Sequence, residues 1–495
     1  MLALQNNNSW ILHHLRNCLV ISFSVILLPI SALVTLIAFV LRQTQVLRAP
    51  RQSPNKDGYH TPRILVTGVG MTKGLFLART MYLGGCEVFG ADFSEPGNLP
   101  CGRFSSSIQK FFTLKSPKSL GPQAYISQVI QIIIFEKIDM WISCSGVATA
   151  VEDARLARAI REKTTCKTFQ FDEDTIITLD DKLKFMRKTS ELQLANIEWC
   201  SIGSGEELSS VINYIRNSSA EVKFMIKSAS VDDTTRGSLP LLSPQNLEMA
   251  EQVLLSLDYT EGRQWILQEY IESGEEYCTQ AVLVRGKVRA FTACPSSSVL
   301  MHYRPLDVHS ILYQKMLNFT QDYATGLGNN PTGHISFDFL VRHTNSEDGF
   351  CASIVPIECN PRCHTAVVMF EKLEVQLADR YLEALDGADR GDILKPIHHS
   401  DFGFYWIAHD VVVLLLASIF DLILANDQSR PSAIREILNC VEHLLIWRDP
   451  VFLWWDPLPW FVLNHLYWPL KLVMASWHRT RWRQLNVSTG KIFGI

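Results

Sequence analysis

An uninterrupted apolar segment stands near the start of the chain. Residues 19–41 contain no charged side chain, and a helix of this length crosses the roughly 30 Å hydrocarbon layer of a bilayer. A cleaved signal peptide normally has an apolar region of only about 7–15 residues that ends at small residues, whereas this segment ends in Val40-Leu41-Arg42. The pattern therefore predicts an uncleaved transmembrane helix over 19–41, between a short N-terminal tail (1–18) and a linker (42–61).

Apolar strand patterns and helical patterns alternate in the next part of the chain. A strand, a helix and a second strand are predicted over residues 63–67, 75–83 and 86–91. A strand, a helix and a strand in this order form the βαβ unit of a parallel sheet. A further strand over Ile138–Ser143 and a helix over Ala148–Arg161 continue the alternation. We therefore predict a Rossmann-like α/β domain over residues 62–170.

The turn after the first of these strands has two interpretations. It contains Gly68, Gly70 and Gly74. With Asp92 at the end of the next strand, these glycines would suit a dinucleotide site, although their spacing is GxGxxxG instead of GxGxxG. The same glycines also suit a tight turn that needs no cofactor. A short-chain dehydrogenase would carry a Tyr-x-x-x-Lys pair on a helix, and the one such spacing, Tyr467/Lys471, is interrupted by Pro469.

Strand patterns dominate residues 171–392, for which we predict an α+β domain. A helix begins after the acidic pair Asp180-Asp181. Alternating apolar residues on both sides of Arg285-Gly286-Lys287 predict a β-hairpin of 279–284 with 288–293. Further strands are predicted over 221–227, 265–271, 335–341 and 354–360.

Residues 393–495 form a tail with two possible roles. The apolar stretch 406–425 contains His409, Asp410 and Asp421, which favours a buried or interfacial helix over a second membrane span. Seven of the 12 tryptophans lie between Trp447 and Trp482, among prolines and before basic residues. This composition is typical of a segment at a membrane interface. It is equally compatible with a tryptophan-rich lid that packs on the protein, so both interpretations remain open for this helical tail.

Composition and charge narrow the class of protein. With 47% hydrophobic and 19% charged residues, the chain as a whole is neither disordered nor a fibrous rod. The net charge is −4, but residues 1–56 and 471–495 contain basic and no acidic side chains, so all 50 acidic residues lie between them. This distribution argues against nucleic-acid binding and indicates ends that face anionic lipid. Four basic residues closely follow the apolar segment and one precedes it, which places the body of the chain in the cytoplasm.

Oxygen ligands and lysines stand at the ends of the predicted elements. Asp338, Glu358 and Asn360 offer carboxylate and amide oxygens, the donors that Mg²⁺ prefers. Glu358 and Asn360 share one face, because side chains alternate along a strand. Lys182 and Lys227 would neutralise phosphate oxygens. The combination indicates a site for a nucleoside triphosphate with a divalent cation.

The order of these motifs resembles the ATP-grasp superfamily over residues 62–392, including the preATP-grasp α/β domain that precedes the catalytic fold. The matching segments are Asp181-Lys182, Lys227, Gln268-Glu269-Tyr270-Ile271, Gly274-Glu275-Glu276 and Glu358-Cys359-Asn360-Pro361-Arg362. Among ATP-grasp proteins, the chain is most similar to membrane-anchored, fungal-type enzymes of secondary metabolism. Two departures stand out: the loop over 228–238 contains one glycine, Gly237, and Asp338 stands where many relatives carry glutamate.

The resemblance implies how the nucleotide is bound. Lys182 and Lys227 would contact the α- and β-phosphates of ATP. The backbone of Glu269-Tyr270-Ile271 would bind adenine, and Glu276 the ribose hydroxyls. The loop over 228–238 would cover the phosphates.

The resemblance also implies the catalytic groups. Asp338, Glu358 and Asn360 would bind Mg²⁺ (or Mn²⁺). Arg362, together with Lys227, would stabilise the charge on the transferred phosphoryl group. His334 and His364 flank the metal-binding strands, where contact with substrate and a structural role are equally open.

The implied reaction is that of a carboxylate–amine ligase. ATP would phosphorylate a small-molecule carboxylate, and an amine would displace phosphate to form an amide or peptide-type bond. The apolar segment places this ligase at a membrane as a single-pass protein, where neighbouring pathway enzymes would be partners. The resemblance implies a specialised biosynthetic pathway. Three alternatives remain: a small-molecule kinase with the same ATP site, a membrane-tethered NAD(P)-dependent reductase, and a silent ATP-binding scaffold.

Overall fold

A computed structural model of the protein describes most of the chain. It describes residues 10–44, 49–52, 60–93, 99–144, 146, 149–203, 206–229, 240–259, 264–272, 274–296, 301–328, 330–346, 349–397, 402–415, 418–419, 422, 430–486 and 488–494. The first element is a long helix, α1 (Trp10–Gln43), which contains Pro29. It begins before the predicted segment 19–41 and ends two residues after it, so helix also replaces part of the predicted tail and linker.

A five-stranded parallel sheet follows. Its strands are β1 (Arg63–Thr67), β2 (Glu87–Phe93), β3 (Lys110–Leu114), β4 (Met140–Ser143) and β5 (Lys167–Phe169), in the order β3-β2-β1-β4-β5. Its helices are α2 (Thr72–Leu83), α3 (Pro117–Leu120), α4 (Pro122–Phe135) and α5 (Ala150–Lys163). Successive residues of β1 face opposite sides: Ile64 and Val66 join the core that contains α2, and Leu65 joins the core that contains α4 and α5. Both faces are therefore covered, as a parallel sheet requires.

A smaller antiparallel sheet lies beyond the parallel one in the chain. After the helices α6 (Glu173–Asp180) and α7 (Lys182–Glu191), the strands β6 (Trp199–Ile202), β7 (Phe224–Ser228) and β8 (Trp265–Glu269) pair in the order β6-β8-β7. The helices α8 (Glu206–Asn217) and α9 (Leu247–Ser256) cover one face, where Ile215 and Leu254 pack on Phe224 and Leu267. The opposite face contains Ile266, which packs on Leu183 of α7.

A four-stranded antiparallel sheet forms the second half of the α+β region. Its strands are β9 (Glu276–Val284), β10 (Lys287–Pro295), β12 (Gly333–Ser346) and β13 (Gly349–Asn360), in the order β10-β9-β12-β13. The predicted hairpin turn is confirmed: Arg285 and Gly286 have φ angles of 52° and 75°, as a two-residue turn of type I′ requires. Helix α10 (Ile311–Gly326) packs on the sheet through Tyr313 and Phe319. The parallel and antiparallel sheets together confirm the predicted α/β and α+β classes.

The C-terminal segment is mixed, not purely helical. The short strands β11 (His302–Tyr303) and β14 (Phe404–Tyr405) pair with each other, and β15 (Trp482–Asn486) pairs with β16 (Lys491–Gly494). Helix α11 (Glu374–Asp386) precedes the tail, whose described helices include α12 (Ile407–His409), α13 (Arg430–Ile446), α14 (Leu458–Val462) and α15 (Trp468–Trp477). The π-helical segments Asp410–Leu415 and Leu463–Tyr467 continue α12 and join α14 to α15.

A buried ion pair fastens this C-terminal segment to the parallel-sheet unit. The Arg79 guanidinium of α2 donates from Nε to Asp456 Oδ2 at 2.8 Å, and both side chains are almost fully buried. Arg79 also donates to the carbonyl oxygens of Pro450, Val451 and Asp456. The tail therefore packs on the body of the protein, as the lid interpretation expects.

Helix α1 has one face on the tail and one face exposed. Asn17 donates to Ser476 Oγ at 2.8 Å and accepts from Trp482 Nε1 at 2.9 Å. Val20 belongs to the same core as Trp468 and Leu472 of α15. The other face carries exposed apolar side chains such as Val25, Ile26, Ile30, Leu33 and Leu36. The segment His14–Gln43 is long and apolar enough to cross a membrane, a property that some helices of soluble proteins share.

Candidate active site

Two neighbouring strands bring the predicted metal ligands together. In the β12–β13 register, Asp338 lies directly opposite Glu358, and Ser336 lies opposite Asn360. Asn360 Nδ2 donates to Asp338 Oδ2 at 3.1 Å. The register shifts immediately after Asp338, and such irregularities re-aim side chains next to functional sites. Because like charges directly opposite each other destabilise a sheet, the Asp338–Glu358 pair favours a cation between them.

The electrostatics of Asp338 support this interpretation. Burial, followed by the charge of Glu358, raises the pKa of the Asp338 carboxyl well above its usual range. The charge of Glu276, at the start of β9, acts in the same direction. A divalent cation would remove the repulsion and restore the ionised form, since an opposite charge within a few ångströms favours the carboxylate.

Arg362 is held in a fixed orientation beside these ligands. Its NH1 group donates to Asp180 Oδ1 at 2.8 Å, and its NH2 group donates to Asn360 Oδ1. Asp180 ends α6, so the side chain that aims Arg362 comes from a distant part of the sequence. Ion pairing with Asp180 leaves the planar guanidinium partly exposed, which allows the fork of donors to meet an anion.

Lys182 begins helix α7 close to the metal ligands. Asp181 caps this helix by accepting from the amide of Lys184 at 2.8 Å, as its acidic N-terminal pattern predicts. The Lys182 ammonium lies 3.7 Å from Glu358 Oε2. Its amide donates to the carbonyl oxygen of Ala229 at 3.4 Å, directly after β7. The start of α7 therefore lies between the two antiparallel sheets.

Lys227 and the predicted adenine segment lie on the adjacent strands β7 and β8. Lys227 is opposite Ile266, on the sheet face that Leu183 covers. Glu269 is opposite Phe224, three positions from Lys227, which corresponds to about 10 Å along the strands. This separation suits a nucleotide with its base near Glu269 and its phosphates near Lys227 and Lys182.

The backbone donors of the adenine segment are largely occupied. The amides of Glu269 and Tyr270 donate to the carbonyl oxygens of Glu198 and Lys223. The Glu269 carboxylate forms an ion pair with Arg342 of β12 at 2.6 Å, which joins the two antiparallel sheets. Within the described residues, Ile271 alone of the three keeps its amide without a partner.

Glu276 lies at the opening of this region. It is the first residue of β9, opposite Leu340, and its side chain is exposed. Its carboxylate accepts from Ser296 Oγ at 3.4 Å. The position is compatible with a role in ribose binding. Most of the predicted phosphate-covering loop over 228–238, including Gly237, lies outside the described residues.

The two histidines beside the strands have structural environments. His334 shares a 2.7 Å hydrogen bond with the Tyr381 hydroxyl, and His364 Nδ1 accepts from the amide of Ala366 at 3.2 Å. Burial, followed by the charge of Lys73, lowers the pKa of each histidine to about 3. Both are therefore neutral at physiological pH, and the contacts favour the structural interpretation.

The glycine turn is filled by the protein itself. Asp92 Oδ2 accepts from the Gly70 amide at 2.6 Å. The Thr72 amide, at the start of α2, donates to the carbonyl oxygen of Ser488 at 3.0 Å, and Trp406 Nε1 donates to Thr72 Oγ1. A dinucleotide would need the same carboxylate and the same helix N-terminus. These contacts argue against the reductase alternative.

The turn instead supports the candidate active site. Lys73 donates to the carbonyl oxygen of Cys363 at 2.7 Å, and its side chain is buried. This contact connects α2 to the segment that contains Arg362. A Cβ atom at Gly74 would lie 2.2 Å from the Gly68 carbonyl oxygen, so glycine is required for the chain to turn this closely.

Two site residues were missed in the sequence. The sequence pattern places Asp180 only in an acidic helix start, and it predicts no role for Arg342. Their partners, Arg362 and Glu269, are distant in sequence, and no local pattern indicates such pairs. Arg342 lies on β12, which extends to Ser346, and β13 begins at Gly349.

Comparisons with known proteins give structural likeness only. No family model matches the sequence, and no curated protein matches it. Among solved structures, Rhizobium etli pyruvate carboxylase is 16% identical with a TM-score of 0.47, and covers 67% of this chain. The chain spans 30% of that protein's length.

Two further structures have similar values. One is the biotin carboxylase domain of Hydrogenobacter thermophilus 2-oxoglutarate carboxylase, in complex with MgADP, ADP and bicarbonate. It is 12% identical with a TM-score of 0.48, and the match covers 68% of this chain and 72% of that one. The L-amino acid ligase of Bacillus licheniformis is 13% identical, covers 69% and 75%, and has a TM-score of 0.42. At such low similarity, the function has to be argued from the site itself.

Proposed function

We propose that the protein is an ATP- and Mg²⁺-dependent carboxylate–amine ligase of the ATP-grasp type. The observation that carries the proposal is the facing pair Asp338 and Glu358, bordered by Asn360, Lys182 and Arg362. Carboxylates, an amide and two cations in this arrangement suit a triphosphate that arrives with a divalent cation. The silent-scaffold alternative has little support, because the groups that would perform phosphoryl transfer are assembled.

The donor set fits Mg²⁺ or Mn²⁺. Asp338, Glu358 and Asn360 provide hard oxygen ligands, and burial, followed by the charge of Glu358, raises the pKa of the Asp338 carboxyl. When bound, the cation would neutralise phosphate oxygens during phosphoryl transfer. Lys182, already 3.7 Å from Glu358, would remain close enough to contact the same phosphates.

The nucleotide is proposed to lie between the two antiparallel sheets. Its adenine would contact Ile271, whose amide is the available donor of the segment 269–271. Its ribose would lie near Glu276, and its phosphates would extend toward Lys227 and Lys182. The N-terminus of α7 adds a favourable dipole for anions at the phosphate end.

Arg362 is proposed as the main catalytic group. A carboxylate oxygen of the substrate attacks the γ-phosphorus of ATP. The bond between this phosphorus and the oxygen that bridges it to the β-phosphate breaks, so the products are ADP and an acyl phosphate. The amine then attacks the acyl carbon, loses a proton and expels phosphate. Arg362, oriented by Asp180 and Asn360, would stabilise the charge on the transferred phosphoryl group.

Hydroxylamine trapping tests this reaction directly. With detergent-solubilised protein, Mg-ATP, hydroxylamine and a panel of amino and fatty acids, we expect acid-dependent hydroxamate together with ADP. An acyl phosphate reacts with hydroxylamine, whereas the product of a small-molecule kinase does not. A different result would contradict the ligase and support the kinase: ADP is formed without hydroxamate, and the added acid is recovered in a phosphorylated form.

We also propose that the protein is attached to a membrane through the exposed face of α1, with its catalytic region in the cytoplasm. A single-pass arrangement would in addition require the contacts of Asn17 with Ser476 and Trp482 to open. The exposed apolar face of α1 supports this proposal, as do exposed Trp454 and Trp477 in the adjacent tail. The resemblance to membrane-anchored, fungal-type enzymes extends the proposal to specialised biosynthesis, with small-molecule substrates and pathway enzymes as partners.

Two lysines on the exposed face of α1 should release the protein from membranes. Ile30 and Leu33 are 63% and 57% exposed, and a lysine at the centre of a membrane helix costs about 2.5–3.5 kcal/mol. We expect Ile30→Lys/Leu33→Lys to move the full-length protein into the soluble fraction after an alkaline carbonate wash. The matched control is Leu120→Lys/Ile134→Lys, at positions that are 62% and 59% exposed on the parallel-sheet unit. Release of the wild-type protein by the wash would refute the membrane attachment.

A further inference from the structure

Three histidines and one aspartate converge at the junction of the tail and the catalytic region. His302 belongs to β11, His409 ends α12, Asp410 begins the following π-helical segment, and His443 lies in the last turn of α13. We call these residues the His₃Asp cluster. They share no residue with the candidate active site, and they come from three separate parts of the chain.

One nitrogen atom of each histidine approaches the Asp410 carboxylate. His302 Nε2 lies 2.8 Å and His409 Nδ1 lies 3.1 Å from Asp410 Oδ1, while His443 Nδ1 lies 2.6 Å from Asp410 Oδ2. One ligand atom from each of His302, His409 and Asp410 falls within 4.8 Å of the others. The rings of His302 and His443 have centroids 4.5 Å apart, and His443 contacts the second oxygen of Asp410, beside that group of three.

The cluster is enclosed by the protein. The side chains of His409 and Asp410 are each 2% exposed, whereas His302 and His443 are 22% and 12% exposed. The Trp447 ring closes one side, 4.3 Å from the ring of His443 and 5.7 Å from that of His302. Among the described residues, buried His409 Nε2 has no hydrogen-bond partner, so this imidazole has one nitrogen toward Asp410 and no polar contact at the other.

A hydrogen-bond network alone leaves one buried group of the cluster unexplained. One carboxylate can accept from all three imidazoles, but His409 Nε2 then has no partner among the described residues, and an unpaired buried polar group costs free energy. The nitrogen–oxygen separations are also close to the roughly 3.3 Å between ligands in a tetrahedral site with bonds of about 2.0–2.1 Å. A tetrahedral set of all four would require His443 to move toward the other three, because His302, His409 and Asp410 alone already offer ligand atoms within 4.8 Å of one another among the described residues.

We propose that His302, His409, Asp410 and His443 bind one divalent transition-metal ion, with Zn²⁺ the best match. Three imidazole nitrogens and one carboxylate oxygen form a borderline donor set, which suits Zn²⁺ and differs from the all-oxygen set at Asp338 and Glu358. Four protein ligands leave no open position, so the ion has a structural role. It fastens α12 and α13 of the tail to β11 of the catalytic region.

This ion would also stabilise the surroundings of the active site. Tyr303, next to His302, has its ring centroid 6.0 Å from that of His364, which is two residues beyond Arg362. Its ring also lies 5.6 Å from that of Trp406, next to α12. A metal bond at His302 would therefore hold the neighbouring Tyr303 in place, and with it the contact to His364 behind the Arg362 segment. The inference does not depend on the proposed ligase activity.

Metal content of the full-length protein is the first test. We expect protein purified in detergent with a tag that lacks histidine, after exposure to Zn²⁺ and removal of the excess, to retain about one zinc per chain by mass spectrometry. X-ray absorption at the zinc edge should show four nitrogen or oxygen neighbours at about 2.0 Å and no sulfur. Zinc below about a tenth of an ion per chain, or sulfur neighbours in spite of good occupancy, would overturn the proposal.

Substitutions locate the ion. His302→Gln and His443→Gln should each lower zinc affinity at least about tenfold, and a chelator should lower the thermal midpoint of the wild type but not of these variants. Two controls should keep their zinc: His309→Gln, an exposed histidine on the loop after β11, and Asp338→Asn, in the candidate magnesium site. Unchanged zinc affinity in both cluster variants would show that the ion is bound elsewhere.

Discussion

The Glu358→Gln protein is expected to lose Mg-ATP-dependent turnover by about 10³-fold, or about 4 kcal/mol of transition-state stabilisation. Glu358 faces Asp338 across the strand pair and lies 3.7 Å from Lys182. The substitution therefore removes one metal ligand and the ion-pair partner of the phosphate-binding lysine Lys182. The size and shape of the side chain at position 358 are retained. Steady-state ADP release at several Mg²⁺ concentrations measures the effect, and we expect the loss to be smaller at high Mg²⁺.

The fold should survive this substitution. The Glu358 side chain is 24% exposed, so the neutral amide can be solvated. Glu173→Gln is the matched control: Glu173 is also 24% exposed and pairs with Arg155 at 2.8 Å, but it lies away from the metal ligands. We expect near-wild-type turnover and unfolding for this control. Turnover of Glu358→Gln within a few-fold of the wild type would remove the metal assignment and, with it, the proposed ligase.

Asp456→Ala is expected to destabilise the protein by about 3–5 kcal/mol. The substitution leaves the Arg79 guanidinium buried without its anion, and it removes the acceptor for hydrogen bonds from Ser105 and Ser106. An uncompensated buried charge is among the most destabilising defects in a protein. Denaturant unfolding in detergent, followed by tryptophan fluorescence, measures the free energy difference between wild type and variant.

A double substitution separates charge loss from packing loss. Arg79→Met/Asp456→Leu removes both charges, and replacing a buried pair by apolar residues is often close to neutral. We expect this protein to be clearly more stable than Asp456→Ala. Equal destabilisation by the single and double variants would show that shape, not charge, determines the effect.

The pH dependence of this ion pair has a defined sign. Burial alone would raise the pKa of the Asp456 carboxyl, but Arg79 and the hydrogen bonds from Ser105 and Ser106 bring it below its usual value. An acid with a lowered pKa in the folded state contributes stability at neutral pH and loses that contribution as the pH falls toward the folded-state pKa. The stability difference between wild type and Asp456→Ala should therefore shrink in acid.

Local sequence patterns are sufficient to predict several helices and strands, but they do not predict which strands pair with each other. The alternation around Arg285-Gly286 and the acidic start of α7 depend on nearby residues, so the sequence predicts the hairpin and the helix directly. Edge strands β3 and β5 were missed because β3 is mostly solvent-accessible and β5 has three residues. Strand β14 pairs with the distant β11, a contact that no local pattern indicates, whereas β15 and β16 pair locally in a tail for which only helix is predicted.

The site shows the same division. The motifs around Lys182, Asp338 and Glu358 predict a phosphate and metal site, and the fold brings these three residues together. The ion pairs of Arg362 with Asp180 and of Glu269 with Arg342 depend on long-range contacts, which one sequence does not encode in any local pattern. The occupied amides of Glu269 and Tyr270 likewise follow from strand pairing.

The contact between α1 and the tail has a consequence for the order of synthesis. Asn17 is fully buried and bonds to Ser476 and Trp482, separated from it by 459 and 465 residues. At about 5–20 residues per second, a ribosome needs roughly 20–90 s to cover that distance. During this interval the Asn17 amide lacks its partners, so the contacts of α1 with the tail can form only after the last part of the chain has been synthesised. A premature stop before Ser476 would remove both partners of Asn17. The truncated product would then expose the buried face of α1 to cellular quality control.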